Sequence, residues 1–187
     1  MKNYLLHIVI SLIAFSLSYL LAYSTGLSLV QDTVLIVFAI QWVLFIPAYI
    51  FKTEKFYDLA GSSTYIFAVS YLLYDSSENL TNLILGIAII CWAVRLGSFL
   101  FFRIKKAGED KRFKEIKVSP TRFFLAWSLQ GMWVSMCSLC ALTALSTDTG
   151  VVLNGYLYLG FGLFLFGFLI EIIADKQKSK FRSVVDN

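Results

Sequence analysis

The stretch Gly167-Phe168-Leu169-Ile170-Glu171-Ile172-Ile173-Ala174-Asp175-Lys176-Gln177-Lys178-Ser179-Lys180-Phe181-Arg182 begins apolar and ends dense in charge. Residues 167–174 hold one charged side chain, Glu171, and residues 175–182 hold five. A change of that kind marks a helix leaving hydrocarbon for water. Glu171, Asp175, Lys178 and Arg182 follow one another at spacings of four, three and four. At about 100° per residue they fall within an arc of about 60° on one helix face. Two carboxylates and two cations in one stripe, at the end of a membrane span, suit a polar ligand.

The rest of the chain extends this pattern. Of 187 residues, 58% are hydrophobic and 15% charged, against about 25% charged in soluble domains. The mean hydropathy is +0.74. The apolar residues come in long blocks without alternation, which predicts an all-α, polytopic membrane helical bundle and a single membrane domain over residues 1–187. Six spans are expected, at 4–23, 33–51, 59–74, 80–102, 123–145 and 151–174, with the longest polar segment at 103–122. The third is short and opens with Gly61, Ser62 and Ser63. Lys2 before the first span and Ala22-Tyr23-Ser24 at its end would suit a cleaved signal peptide. Its apolar run nears 20 residues, longer than the usual 7–15 of such peptides, and favours a retained span.

The net charge of +4 does not point to nucleic acid, because the cations sit in short segments beside the spans. With the N-terminus inside, segments 1–3, 52–58, 103–122 and 175–187 hold fifteen of the sixteen lysines and arginines. The sixteenth, Arg95, lies within the fourth span, and segments 24–32, 75–79 and 146–150 hold Asp32, Asp75, Glu78 and Asp148 with no cation. The positive-inside rule then predicts two cytoplasmic termini.

Few residues carry chemistry. Arg95 within a span costs about 2.5–3.5 kcal/mol on insertion scales and requires a partner in the bundle interior. Glu171 is the candidate at comparable depth, either as a structural ion pair or as one wall of a polar pocket. Arg103 and Lys106 continue the same helix face and suit either lipid phosphates or a ligand. Asp58, in Tyr57-Asp58-Leu59-Ala60-Gly61, suits an N-cap or an acid facing the pocket. Gln41, Trp42 and Gln130 suit hydrogen bonds between helices, and Trp92, Trp127 and Trp133 suit packing. Gly155, Gly160, Gly162 and Gly167 form a small-residue surface. Cys91, Cys137 and Cys140 are expected as buried thiols. A lone Cys137-Ser138-Leu139-Cys140 with a distant His7 falls short of the four ligands a zinc site needs, so no metal is expected.

Three blocks carry a resemblance: Phe56-Tyr57-Asp58-Leu59-Ala60-Gly61-Ser62; Arg95-Leu96-Gly97 through Arg103 to Gly108-Glu109-Asp110-Lys111-Arg112-Phe113; and Ala174-Asp175-Lys176-Gln177-Lys178-Ser179-Lys180-Phe181-Arg182. With them the chain resembles the steroid 5-alpha-reductase C-terminal-like family of bacterial membrane proteins (DUF1295), from about residue 30 onward. The resemblance implies an inner-membrane reductase that uses NADPH to reduce a carbon–carbon double bond conjugated to a carbonyl in a lipid or steroid-like substrate. It places Asp175, Lys178 and Arg182 at cofactor-holding positions, with Glu171 in the same helix. Arg95, Arg103 and Lys106 align more loosely with cationic cofactor contacts, and Tyr57 and Asp58 are candidates for polarising the carbonyl. Members of that family continue past the Phe-Arg pair through further helices with an Arg-His-Pro-Asn-Tyr-like segment. The expectation is therefore a shortened chain whose NADPH site is incomplete. The alternative is a non-catalytic membrane protein: a remnant, a lipid-binding module or a subunit needing a partner chain.

Overall fold

The structure, a computed structural model, describes residues 2–76, 79–147, 149 and 151–185. Glu78 and Asp148 lie outside them. The chain forms two compact units, Met1–Val151 and Val152–Asn187. Among the described residues the first unit holds α1 (Lys2–Ser24), α2 (Ser28–Ile50), α3 (Tyr57–Ser76), α4 (Leu80–Ala107), α5 (Phe113–Ile116) and α6 (Pro120–Leu145). The second holds α7 (Gly155–Val185). No strand occurs among the described residues, and the all-α bundle expected from the sequence is the fold found.

Five helices, α1, α2, α4, α6 and α7, are long and apolar enough to cross a membrane. The third expected span, 59–74, is α3, a helix of 20 residues that is not among them. Its neighbours explain this. α3 packs against α2, α4 and α6, and Ala60, Ser62, Thr64, Tyr65, Ala68, Val69 and Leu72 are all buried. On its packed face the helix carries a buried hydroxyl, Thr64, which donates to the Ala60 carbonyl within α3, while Leu59, Phe67 and Tyr71 face outward.

Contacts between distant segments order the first unit end to end. His7 Nδ1 lies 3.1 Å from Thr121 Oγ1, joining the start of α1 to the start of α6. Glu54, in the α2–α3 turn, meets Lys117 just after α5. Asp58, opening α3, meets Arg103 near the end of α4. At the opposite end the Asn82 carboxamide accepts from Val151 N–H at 2.8 Å. The helices thus run alternately up and down, α3 included, and the basic loops of this unit gather at one end.

Large apolar side chains face outward from this unit, and several polar ones lie inside it. Leu5, Leu20, Ile50, Phe51, Phe102 and Trp133 are each more than 60% exposed, while Ser11, Ser18, Thr33, Gln41, Thr64, Ser128, Ser135 and Ser138 are buried. In lipid, apolar side chains gain nothing by leaving the surface, and association rests on close packing and interior hydrogen bonds. Several hydroxyls return their proton to the carbonyl one turn back: Ser18 to Ala14 at 2.9 Å, Thr64 to Ala60 at 2.7 Å and Ser138 to Val134 at 2.6 Å. Such bonds hide a polar group within its own helix. The bonds expected between helices are present, with the Gln41 amide donating to Thr64 Oγ1 at 2.7 Å and the Trp42 indole to Ser128 Oγ at 3.1 Å. The cysteines differ from expectation. Cys91, Cys137 and Cys140 are free but point outward. Val134, Ser135 and Ser138 take the neighbouring interior positions of α6, and a thiol is apolar enough for a lipid-facing one.

Helix ends also shifted for local reasons. α2 closes with Lys52 at φ 49, where Thr53 N–H donates to Ala48 and Lys52 N–H to Tyr49. This is the double bond of a Schellman end, with a lysine in the position glycine favours. α4 is capped by Asn79, whose side chain accepts from Thr81 and Asn82 N–H. It continues five residues past the expected 102 and stops at Gly108, φ 81. Pro120 sits in the first turn of α6, where its missing N–H costs nothing.

Candidate functional site

The basic end of the first unit is where charged and aromatic side chains converge. The α2 end, with its left-handed Lys52, turns the chain back so that Glu54 points inward and is only 4% exposed. Its carboxylate accepts from Lys117 Nζ at 2.8 Å and from Asp110 N–H at 3.0 Å. Burial raises the Glu54 pKa, and these two donors outweigh it, leaving the group below its ordinary value. Asp110 in turn accepts from the Arg112 guanidinium, with Nε at 3.0 Å from Oδ1, and from Arg112 N–H at 2.9 Å. The Arg112 bond is the main reason the Asp110 carboxyl is held below its usual range.

One turn on, the Asp58 carboxylate lies 3.3 Å from Arg103 Nη2. The side chains are 21% and 29% exposed, so water reaches both. Burial is the largest influence on Asp58 and raises its pKa; Arg103 and Arg112 lower it and Asp110 raises it further, for a net upward shift. Asp58 is therefore an ion-pair partner in the first turn of α3, which starts at Tyr57. Tyr57 is fixed at three points. Its hydroxyl donates to the Ala126 carbonyl at 2.8 Å, and its own carbonyl accepts from Gln130 Nε2 at 2.9 Å. Its ring meets Phe113 at 4.7 Å and Trp127 edge-on at 5.2 Å. Phe113, Phe123 and Trp127 are buried and form, with Ala48 and Ala60, the core beneath the charged surface.

Two glycines set the spacing of this assembly. A Cβ at Gly61 would overlap Gln130 Nε2, the group that holds the Tyr57 carbonyl. A Cβ at Gly97 would stand 2.6 Å from the Ser62 Cβ, so α3 and α4 meet backbone to side chain there. Of the three sequence blocks, 56–62 and 95–113 thus fold against each other, through Asp58–Arg103, Tyr57–Phe113 and Ser62–Gly97.

The remaining expected site residues lie as follows. Arg95 is half-buried on α4, its guanidinium 5.6 Å from the Phe99 ring centre. It stands eight residues, or about 12 Å along the helix, from Arg103. Lys106 is exposed in the last turn of α4. Glu171, Asp175, Lys178 and Arg182 lie on α7, which stays helical through Val185, so the spacing that puts them on one face holds. The Arg182 side chain lies outside the described residues. Within α7, Phe164 stacks on Phe161 and on Phe168 at about 6 Å, and Asn154 Oδ1 accepts from Leu157 N–H at its start.

Glu54, Asp110, Arg112 and Lys117 were not singled out by the sequence. No local signal marked Glu54, whose partners Asp110 and Lys117 lie far along the chain. Together the residues at this end can hold anions: segment 103–122 carries eight cations against three carboxylates.

The family model described as "Protein of unknown function (DUF1295)" matches residues 44–187. The chain belongs to this family. Both converging blocks and the charged end of α7 fall within the matched DUF1295 region. No curated protein and no solved structure matches the chain.

Proposed function

We propose that this DUF1295 protein is a membrane-embedded reductase of the steroid 5-alpha-reductase type, acting with NADPH on a lipid or steroid-like enone. Its basic end would face the cytoplasm of a bacterial inner membrane. The observation that carries the reading is the meeting of blocks 56–62 and 95–113 at the basic end, through the Asp58–Arg103 pair. The donor set there suits the phosphates of a dinucleotide. Arg103 is partly open to water, Lys106 is exposed, and Arg95 is half-buried further along the same helix. On α7, Glu171 and Asp175 suit ribose hydroxyls, and Lys178 and Arg182 suit phosphates. NADPH, when bound, supplies the hydride. Of the two candidates for polarising the carbonyl, Asp58 is partly open to water beside Arg103, whereas the Tyr57 hydroxyl is already engaged by the Ala126 carbonyl.

NADPH titration of the purified protein, followed by the dihydronicotinamide fluorescence, tests this. Saturable binding is expected, weakened roughly tenfold or more in Arg182→Ala, the loss of a charge-assisted contact to an anion. No saturable binding at high micromolar NADPH ends the cofactor reading.

One observation favours a second reading, a non-catalytic lipid-binding module or subunit. Tyr57 and Asp58 both bond to neighbours within the fold, as they would in a purely structural corner. NADPH binding with no enone-dependent oxidation of the cofactor across a panel of lipid and steroid enones supports it.

A further inference from the structure

We propose that the groove between the α2–α3 turn and the end of α4 binds the phosphate headgroup of an anionic phospholipid. This is independent of the reductase reading. The groove has a volume of about 230 Å³ and is lined by Lys55, Phe101, Ile104, Lys105 and Gly108. Its chemistry is divided. Lys55 and Lys105 are exposed cations contributed by two different segments, while Phe101 is half-buried and Ile104 buried. A small soluble anion has no use for the apolar wall. A phospholipid presents a phosphate next to a glycerol backbone and acyl chains, and both parts of the groove are then used.

The depth agrees. Phe51, which caps α2, and Phe102 on α4 are 75% and 64% exposed, the last outward-facing large apolar groups before Lys52 and Lys55 on one side and Lys105 and Lys106 on the other. That step from outward aromatics to lysines is where hydrocarbon gives way to headgroups. The ends of both helices keep the groove open. Gly108, at φ 81, turns the chain off the end of α4, and nothing stands within 4 Å of where its Cβ would be. Lysines at a helix C-terminus already answer the helix dipole. That role accounts for Lys105, and it does not require Lys55 to approach from another segment over an apolar floor.

The test uses the full chain in neutral detergent–phosphatidylcholine micelles, titrated with phosphatidylglycerol and followed by thermal melting and by lipid retained in native mass spectra. Lys55→Gln/Lys105→Gln is compared with Lys111→Gln/Lys114→Gln, which removes the same charge from exposed positions on the neighbouring loop. Phosphatidylglycerol is expected to stabilise and remain bound to the native chain. The apparent affinity should fall roughly tenfold in the groove variant and be kept in the control and in Lys55→Arg/Lys105→Arg. If the paired glutamines lower the folded yield, Lys105→Gln alone carries the same comparison. Equal binding of phosphatidylcholine, or an equal loss in the control, overturns the proposal by showing no selectivity or only diffuse attraction. Displacement of the lipid by adenosine 2′,5′-bisphosphate also overturns it, assigning the groove to a soluble phosphate.

Discussion

Asp58 Oδ2 and Arg103 Nη2 stand 3.3 Å apart and tie the first turn of α3 to the last turns of α4 across 45 residues of sequence. Both are partly wet, which weakens their attraction, and a double-mutant cycle on thermal stability should give a coupling of about 0.5–1 kcal/mol. The two single variants should differ. The ionised Asp58 carries a burial cost, since its pKa lies above its ordinary value; that cost is relieved as pH falls through the raised value. Asp58→Asn removes the cost along with the pair and should change stability little at neutral pH. Arg103→Gln leaves the carboxylate with less compensation and should be the more destabilising. Equal losses in both contradict this.

Glu54 behaves in the opposite sense. Its folded carboxyl lies below the ordinary value of 4.5 because Lys117 and Asp110 N–H stabilise the ionised form. The stability it contributes is complete above pH 4.5 and is lost as pH falls through the lowered folded value. Glu54→Gln should cost about 1–3 kcal/mol at neutral pH, less than a fully buried pair because Lys117 keeps contact with water. Melting curves from pH 7 to pH 3 check both parts: the native chain should lose stability in the acid range, and the variant should lose less.

Gly61 is required by its neighbour. Alanine there would displace the Gln130 amide from the Tyr57 carbonyl. The expected cost is about 1–3 kcal/mol, from overpacking and a lost hydrogen bond. Gln130→Ala removes the obstacle, so adding Gly61→Ala to it should cost less than adding it to the native chain. Thermal melting of the four proteins in one detergent measures this.

How far the sequence revealed this arrangement depends on the range of the interaction. Long apolar blocks give helices directly, and three of the six expected spans fall within single helices that cross by composition, 4–23 in α1, 80–102 in α4 and 123–145 in α6, while 151–174 begins four residues ahead of α7. The 33–51 span overran the end of α2 by one residue, because Lys52 closes that helix with its left-handed turn. The 59–74 span is a helix whose shelter by three others could not be read from its own residues. Gln41, Trp42 and Gln130 were legible as interior bonds because a polar side chain inside a span has few other uses. Asp58 and Arg103 were each legible as candidates, and their pairing was not. Glu54 was missed because its partners lie 56 and 63 positions away, and nothing in Thr53-Glu54-Lys55 announces a buried carboxylate.

The side of the membrane is open to direct measurement. His7–Thr121, Glu54–Lys117 and Asp58–Arg103 bring the start of α1, the α2–α3 turn, the end of α4 and the start of α6 to one end, together with their lysines and arginines. The positive-inside rule predicts that this end faces the cytoplasm. In a variant with Cys91, Cys137 and Cys140 replaced by serine, a cysteine introduced at Lys111 should resist a membrane-impermeant maleimide in intact cells and react after permeabilisation. One introduced at Thr149, in the turn that follows α6 and so at the other end of this unit, should react in intact cells. Reversed labelling would put the Asp58–Arg103 corner outside, where no cytoplasmic dinucleotide reaches it, and would overturn the reductase reading along with the orientation.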